Sequence, residues 1–144
     1  MSVRHACLTN QVEHPFLVSL DYVFQNEFRI YFLMQFVQGG ELYKHLCDAK
    51  RFSEERARFY AIQVALALGC LHEQNILYRD LKPENILLEK NGYIYLADFG
   101  LAKIVENNEQ ARSFCGTAEY LAPEMVDSKG HNHGVDWWAL GVLL

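Results

Sequence analysis

The dipeptide Asn91-Gly92 constrains the fold of this chain more than any other short segment, because both residues tolerate a positive φ. It lies between two runs rich in branched apolar and aromatic residues, in the sequence ILLEKNGYIYLAD. The pattern predicts an antiparallel hairpin in which Asn91 and Gly92 are the two turn residues. In that register Asn85 faces Asp98, at about 5 Å between their Cα atoms.

An amide oxygen and a carboxylate placed side by side would suit a hard cation such as Mg²⁺. The segment before the hairpin, residues 78–85, reads YRDLKPEN, and its proline prevents a regular helix. We expect Asp80 to serve a hydroxyl nucleophile beside the metal, and Lys82 to balance charge on a transferring phosphate. The alternative is that Asp80, Asn85 and Asp98 are ordinary solvated turn residues, and their joint placement by a proline-fixed loop and a hairpin argues against it.

Length and composition limit the classes of function. The 144 residues suffice for one domain, and a net charge of −5 without a Lys/Arg-rich block predicts no nucleic-acid partner. No apolar run approaches the roughly 18 residues of a membrane span. The four cysteines are widely spread and form no C-x-x-C pair, so neither a disulfide framework nor a zinc site is predicted. An intracellular, cytoplasmic protein fits these features.

Strands and helices follow from the spacing of apolar residues. The runs FLVSLDYVFQ and FRIYFLMQFV predict two adjacent strands. A short helix is expected from Glu41 to Ala49, and a longer one begins after Ser53 and runs to about His72. The apolar residues of the longer helix are Phe59, Tyr60, Ile62, Val64, Leu66, Leu68 and Leu71. Because they surround most of the helix, we expect it to be buried on several sides.

The segment YRDLKPEN is followed by two further motifs, DFG at residues 98–100 and APE at residues 122–124. Together with SFCGT and VDWWALGVLL, these motifs resemble the eukaryotic protein kinase catalytic domain, and are similar to the AGC group of serine/threonine kinases, which includes cAMP-dependent protein kinase and protein kinases B and C. The resemblance runs from about His14 to the last residue.

The resemblance implies an α+β fold that is a fragment of the bilobal kinase fold. Residues 1–35 would be the end of the small β lobe. Residues 36–144 would be the hinge and the first half of the helical large lobe. The sequence has no G-x-G-x-x-G loop and no V-A-x-K lysine, so the domain is expected to be truncated at both ends and the 144-residue chain to be inactive by itself. A non-catalytic, truncated kinase-like interaction module is the alternative.

The function implied by the resemblance is transfer of the γ-phosphate of ATP to serine or threonine hydroxyls of protein substrates, with Mg²⁺ as cofactor. Asp80 would orient the substrate hydroxyl and accept its proton. Lys82 would stabilise the transferring phosphoryl group. Asn85 and Asp98 would hold Mg²⁺.

The segment MQFV at residues 34–37 matches the hinge of the family. The resemblance implies that the carbonyl of Gln35 and the amide of Val37 bond the adenine of ATP. It places Met34 at the gatekeeper position and Leu87 beneath the base.

Two acidic residues match substrate-contacting positions of the family. Glu41 would contact ribose or a basic substrate residue, and Glu84 would meet a substrate arginine; a solvated surface acid is the alternative for each. With the net charge of −5, these residues predict substrates that carry basic residues before the phosphoacceptor.

Residues from Leu101 to Glu124 are expected to form a long loop without regular structure, which is unusual unless it is functional. In the family this is the activation segment. Ser113 matches the position of the activating phosphate, added in some kinases by an upstream activating kinase, and Arg79 with Lys103 match the positions that bind it.

The resemblance also assigns internal contacts. Thr117 would contact the loop that carries YRDLKPEN. Asp136 would anchor that loop from below, near the start of the last helix. Tyr78, Phe99 and Leu20 would belong to an internal hydrophobic spine.

Overall fold

The computed structural model describes residues 12–105 and 110–144, and these residues form an α+β arrangement, as expected. The strands are β1 (Leu20–Gln25), β2 (Ile30–Met34), β3 (Ile76–Leu77), β4 (Ile86–Leu88), β5 (Ile94–Leu96) and β6 (Lys103–Ile104). The helices are α1 (Leu42–Ala49), α2 (Glu54–Glu73), α3 (Pro123–Val126) and α4 (Gly134–Leu143), with 3-10 turns at Pro83–Asn85 and Ala118–Tyr120. Residues 1–11 of the expected small-lobe region lie outside the described residues.

The two predicted strands are confirmed as the antiparallel pair β1–β2, although each is shorter than its apolar run. The turn between them is closed by Asn26, whose Oδ1 accepts hydrogen bonds from the backbone N–H groups of Phe28 (2.9 Å) and Arg29 (2.8 Å). The chain before β1 is attached to β5, because the N–H of Val18 donates to the carbonyl of Leu96 at 2.9 Å.

The predicted short helix is confirmed as α1, with Glu41 at its N-cap position. The residues before it are attached to β4 by two backbone hydrogen bonds, from Gly39 N to Leu88 O at 2.7 Å and from Leu88 N to Gly40 O at 2.8 Å. A Cβ at position 39 would lie 2.4 Å from the Leu88 carbonyl oxygen, so this close approach requires glycine. The segment between β2 and α1 is therefore fixed against the hairpin.

The long helix is confirmed as α2, and Ser53 caps it by accepting a hydrogen bond from Arg56 N at 3.3 Å. The expectation that it is buried on several sides is wrong. Phe59, Ile62 and Leu66 are exposed at 43%, 54% and 54%. The helix packs against β3, β5 and α4 along one side, and none of the residues that the structure describes covers the other.

The hairpin exists as β4–β5, but its predicted register is wrong by one residue. The structure pairs Leu88 with Ile94, and the loop is closed by a hydrogen bond from Glu89 N to Tyr93 O. The reason is that only Gly92 takes a positive φ, of 87°, while Gly92 N donates to Glu89 O. This is a turn followed by a single left-handed glycine, which lengthens the loop to three residues.

The main core lies between α2 and the β4–β5 hairpin. Leu68, Ile86, Ile94 and Leu96 are each fully buried there, and each such side chain contributes about 1.5–3 kcal/mol of transfer free energy. Gln63 is buried as well, and its Oε1 accepts a hydrogen bond from Ile94 N at 3.0 Å. This core fixes both ends of the segment between β3 and β4, which carries the candidate site.

None of the helices in residues 12–105 and 110–144 is long and apolar enough to cross a lipid bilayer.

Candidate active site

The loop at residues 78–85 connects β3 to β4 and is held from below by a buried carboxylate. Asp136, in the first turn of α4, has no exposed surface. It accepts hydrogen bonds from the backbone N–H groups of Tyr78 (2.9 Å) and Arg79 (2.7 Å). His72 Nε2 lies 2.8 Å from the same carboxylate. Arg79 is thereby held at a φ of 67°, a left-handed conformation that costs about 1–2 kcal/mol for a non-glycine residue.

The side chain of Tyr78 joins this loop to the residues after β5. It is fully buried, its hydroxyl donates to the carbonyl of Ala97, and its ring meets that of Phe99 edge-on at 5.4 Å. Burial, followed by the negative charges of Asp80, Asp98 and Asp136, raises the pKa of Tyr78 well above its ordinary value. The hydroxyl therefore stays protonated and acts as a donor.

Asp80 is held at both carboxylate oxygens and is only 8% exposed. Its Oδ1 accepts a hydrogen bond from the Thr117 hydroxyl at 2.8 Å, and its Oδ2 accepts one from Asn85 Nδ2 at 2.9 Å. Lys82 Nζ lies 3.1 Å from Oδ2 and donates to Thr117 Oγ1 at 2.9 Å. The structure thus brings Asp80, Lys82 and Asn85 into one hydrogen-bonded cluster with Thr117.

The amide group of Asn85 has a defined orientation. Its nitrogen donates to both the backbone carbonyl and the carboxylate of Asp80, each at 2.9 Å. The amide oxygen is therefore the atom left for a cation. In the observed register Ala97 N donates to Asn85 O at 2.9 Å, so the expected pairing of Asn85 with Asp98 is wrong: Asp98 lies one residue beyond the position that faces Asn85.

Asp98 begins the DFG motif with a φ of 52°, and its Oδ1 accepts a hydrogen bond from Gly100 N at 3.0 Å. Its carboxylate and the amide oxygen of Asn85 are both hard oxygen donors, as Mg²⁺ prefers. Within the described parts of the chain no three His, Cys, Asp or Glu residues are grouped to hold a metal ion. This small donor set fits Mg²⁺, which takes one or two protein groups and completes its shell with water and phosphate oxygens.

The predicted hinge residues are divided between two cavities. Met34 lines an apolar cavity of about 270 Å³, and Leu20, Asp98 and Phe99 line the same cavity. Gln35 lines a second cavity instead. Two further hinge-related positions are fixed by neighbours: Val37 is buried, and Leu87 forms an isolated antiparallel bridge with Glu41.

Glu84 lies near two tyrosines. A hydrogen bond with Cys47 raises the pKa of Tyr43, and the charge of Glu84 adds to the rise. Burial raises the pKa of Tyr120, and the charge of Glu84 contributes again. An exposed carboxylate beside two aromatic rings is a suitable contact for a cationic side chain.

The predicted phosphate site is partly assembled. Arg79 Nη1 donates to Ser113 Oγ at 2.6 Å, and its Nε donates to Leu101 O at 2.8 Å. Lys103 lies on β6 opposite Leu77, and in the described ranges no hydrogen bond joins it to Ser113.

The expectation that residues from Leu101 to Glu124 lack regular structure is wrong in part. The segment contains β6, which pairs with β3 just before the loop at residues 78–85, and the 3-10 turn at Ala118–Tyr120. Residues 106–109 of this segment lie outside the described residues.

Sequence reasoning missed two polar residues with long-range contacts that support the site, the buried Gln63 and the partly buried His72. His72 contacts Asp136, which is 64 positions away, and Gln63 bonds Ile94 N at a separation of 31. No local pattern reports contacts over such distances. The one available sign of such a contact was a polar residue, Gln63, inside an otherwise apolar stretch of α2.

Residues 3–144 match the family model for the protein kinase domain, which covers nearly the whole chain. The chain therefore belongs to the protein kinase domain family. Among curated relatives it is similar to Serine/threonine-protein kinase sgk-1 of Caenorhabditis elegans, with 54% identity over 138 residues, covering 95% of this chain and 30% of that protein.

It is also similar to Serine/threonine-protein kinase Sgk1 of Homo sapiens, with 52% identity over 145 residues, covering 100% of this chain and 33% of that protein. Identity to the cAMP-dependent protein kinase catalytic subunit of Dictyostelium discoideum is 50% over 137 residues, covering 95% of this chain and 21% of that protein. The chain thus spans a third or less of the lengths of these relatives. The resemblance to AGC serine/threonine kinases is confirmed, and the comparisons do not favour a non-catalytic module.

Proposed function

We propose that this chain is part of an active serine/threonine kinase that transfers the γ-phosphoryl group of ATP to protein hydroxyls. The observation that carries this proposal is the cluster around Asp80, whose two oxygens are fixed by Thr117 and Asn85 while Lys82 Nζ lies 3.1 Å away. A fixed carboxylate beside a fixed cation is what a hydroxyl nucleophile and a transferring phosphoryl group require.

In this mechanism Asp80 aligns the substrate hydroxyl and accepts its proton. The hydroxyl oxygen forms a bond to the γ-phosphorus as the bond to the β-phosphate oxygen of ADP breaks. Lys82, held by Asp80 and Thr117, stabilises charge on the transferring group. Asn85 and Asp98 would hold Mg²⁺, which neutralises charge on the phosphates when bound.

Nucleotide binding is assigned to the hinge because residues 34–37 match the hinge motif of the kinase family. The carbonyl of Gln35 and the amide of Val37 would bond adenine, while Met34 borders the cavity shared with Asp98. Leu87 is held beside this region by its bridge to Glu41. The positions of Met34 and Leu87 in the backbone support these nucleotide-binding assignments.

Substrates are proposed to carry arginine or lysine before the phosphoacceptor. Glu41 and Glu84 are both exposed, and Glu84 lies beside Tyr43 and Tyr120. In a peptide array, replacing the preceding arginine by alanine should lower phosphorylation by about tenfold or more, because a charge-assisted pair is lost. Equal phosphorylation of peptides with and without the preceding arginine would contradict this specificity.

Activity is proposed to depend on phosphorylation of Ser113, by an upstream kinase or by the enzyme itself. The phosphate would accept charge-assisted hydrogen bonds from Arg79, which already contacts Ser113 Oγ, and from Lys103. Ser113→Ala should lower activity and the hydrogen-exchange protection of residues 110–117. Unchanged activity and protection would contradict the regulatory role without affecting the catalytic one.

The catalytic proposal is tested in a chimera in which these residues replace the aligned 33% of human Sgk1. The chimera should phosphorylate an arginine-containing peptide in the presence of Mg²⁺, whereas the 144-residue chain by itself should not. Asp80→Asn should lower the rate by about 10²–10⁴-fold. The matched control is Asp127→Asn, which removes an exposed charge from a surface pair with Lys129. A wild-type chimera with no activity, or an active Asp80→Asn chimera, would contradict the proposal.

A further inference from the structure

His131 is a buried histidine that the catalytic mechanism does not use. The residue is 3% exposed, and its Nε2 has no hydrogen-bond partner among residues 12–105 and 110–144. A buried ring nitrogen without a partner is uncommon, because burial removes its bond to water. The nitrogen is available for a group that the described residues do not supply.

The backbone places His131 beside the activation segment. His131 N donates to Ala111 O at 2.8 Å, and Ala111 N donates to His131 O at 2.9 Å, so the two residues form an antiparallel pair. Ser113 follows Ala111 by two positions, and no turn or helix interrupts residues 111–115. In extended backbone, residues two positions apart share a face. Ser113 therefore lies two residues along the chain from the residue that pairs with His131, and cross-strand positions offset by two residues are within reach of a long or aromatic side chain.

Arg79 provides a second, independent link between the two residues. Its guanidinium donates to Ser113 Oγ at 2.6 Å, and the same positive charge acts on the ring of His131. The positive charge of Lys103 acts on the ring of His131 as well and also lowers its pKa. The two cations proposed to receive the Ser113 phosphate are thus also the cations whose positive charges act on His131.

Among the residues that the structure describes, four charged groups act on His131. Burial lowers the pKa of His131 most, and the positive charges of Arg79 and Lys103 lower it further. Glu124 and Asp136 oppose this shift. Because the pKa is lowered from the ordinary 6.5, the ring of the unphosphorylated chain is neutral at pH 7. A phosphate of roughly −1.5 to −2 charge would reverse that balance.

We propose that His131 is a third ligand of a phosphate on Ser113 and that it takes up a proton when Ser113 is phosphorylated. The proposal rests on the phosphorylation of Ser113 set out above. Under this proposal the ordering of the activation segment depends on pH. In the proposal the pKa of His131 is higher in the ordered phosphorylated state than in a disordered segment. The stabilisation of the ordered segment by His131 is therefore fully present at low pH and is lost as pH rises through the raised pKa.

The test is an NMR titration of the full 144-residue chain with ¹³C-labelled histidine, with and without phosphoserine incorporated at position 113. The pKa of His131 should rise by about 1 unit or more on phosphorylation. His14, whose pKa is lowered by burial alone, is the internal reference and should not move. An unchanged pKa of His131 would overturn the proposal.

A matched pair of variants separates this proposal from the regulatory role of Ser113. His131→Gln and His133→Gln each remove a histidine whose Nε2 is buried and unpartnered in the described chain. In the phosphorylated protein, His131→Gln should reduce the pH dependence of hydrogen-exchange protection at residues 110–117 between pH 6 and 8 to that of the phosphate alone, whereas His133→Gln should leave it as in the wild type. If Arg79→Ala lowers protection but His131→Gln does not alter its pH dependence, only this proposal fails. If phosphorylation leaves protection unchanged in the wild type, both proposals fail.

Discussion

Thr117 and Asp80 lie 37 positions apart in the chain, and the Thr117 hydroxyl donates a 2.8 Å hydrogen bond to Asp80 Oδ1. The same hydroxyl accepts a bond from Lys82 Nζ at 2.9 Å. A single residue of the activation segment therefore orients both the proposed base and the proposed phosphate-stabilising cation. The conformation of this segment is in this way coupled to the proposed catalytic groups.

Loss of the Thr117 hydroxyl should impair catalysis more than folding. In the chimera, Thr117→Ala should lower kcat by about 10- to 100-fold, because Asp80 and Lys82 lose their common partner. Thr117→Ser retains the hydroxyl and should retain most of the activity. Equal rates for the alanine and serine variants would show that the bond has no catalytic role.

Removing the carboxylate of Asp136 should destabilise the whole chain. Asp136→Ala leaves two buried backbone N–H groups and His72 without their acceptor, and we expect a loss of about 3–5 kcal/mol in the free energy of unfolding. Urea unfolding measures this loss in the free energy of unfolding. Asp127→Ala, in an exposed pair with Lys129, is the control and should leave the midpoint unchanged. Similar midpoints for the two variants would contradict the anchoring role.

Gly39 should tolerate no side chain. Gly39→Ala would place a Cβ 2.4 Å from the backbone oxygen of Leu88, and the forced shift should cost about 1–3 kcal/mol. Gly69, in the middle of α2, has no atom within 4 Å of an added Cβ. Gly69→Ala should therefore stabilise the chain by about 0.5–1 kcal/mol. Thermal unfolding of the two variants should shift in opposite directions, and a shift in the same direction would show that the approach to Leu88 does not constrain position 39.

Acid should destabilise the chain through two histidines, the buried His131 and the partly buried His133. Burial lowers the pKa values of His131 and His133 from the ordinary 6.5. Below that pH the unfolded chain binds protons that the folded chain does not, so the free energy of unfolding should decrease as pH falls from about 6.5. The double variant His131→Gln/His133→Gln should lose less stability between pH 6.5 and 5. Identical losses in the wild type and the double variant would be the contrary result.

Much of the fold could be predicted from the sequence because its signals are local. The N-cap Ser53, the proline-fixed loop and the strand pair β1–β2 all depend on neighbouring residues. The cluster of Asp80, Lys82 and Asn85 was also predictable, since five consecutive positions separate its ends.

The remaining features depend on non-local structure. Whether Asn91-Gly92 forms a two-residue or a three-residue loop depends on which residues take a positive φ, and here only Gly92 does. This difference of one residue moved Asp98 away from the position opposite Asn85. The one-sided burial of α2 depends on which elements pack against it, and periodicity alone does not report that.

The most direct measurement is a double-mutant cycle on phosphoryl transfer in the chimera, with Asp80→Asn, Lys82→Met and both together. If Asp80 and Lys82 act as one unit on the same reacting group, the double variant should be no slower than the slower single variant, within about threefold. If the two losses multiply, or if neither single variant slows transfer, the cluster is not the catalytic unit proposed here.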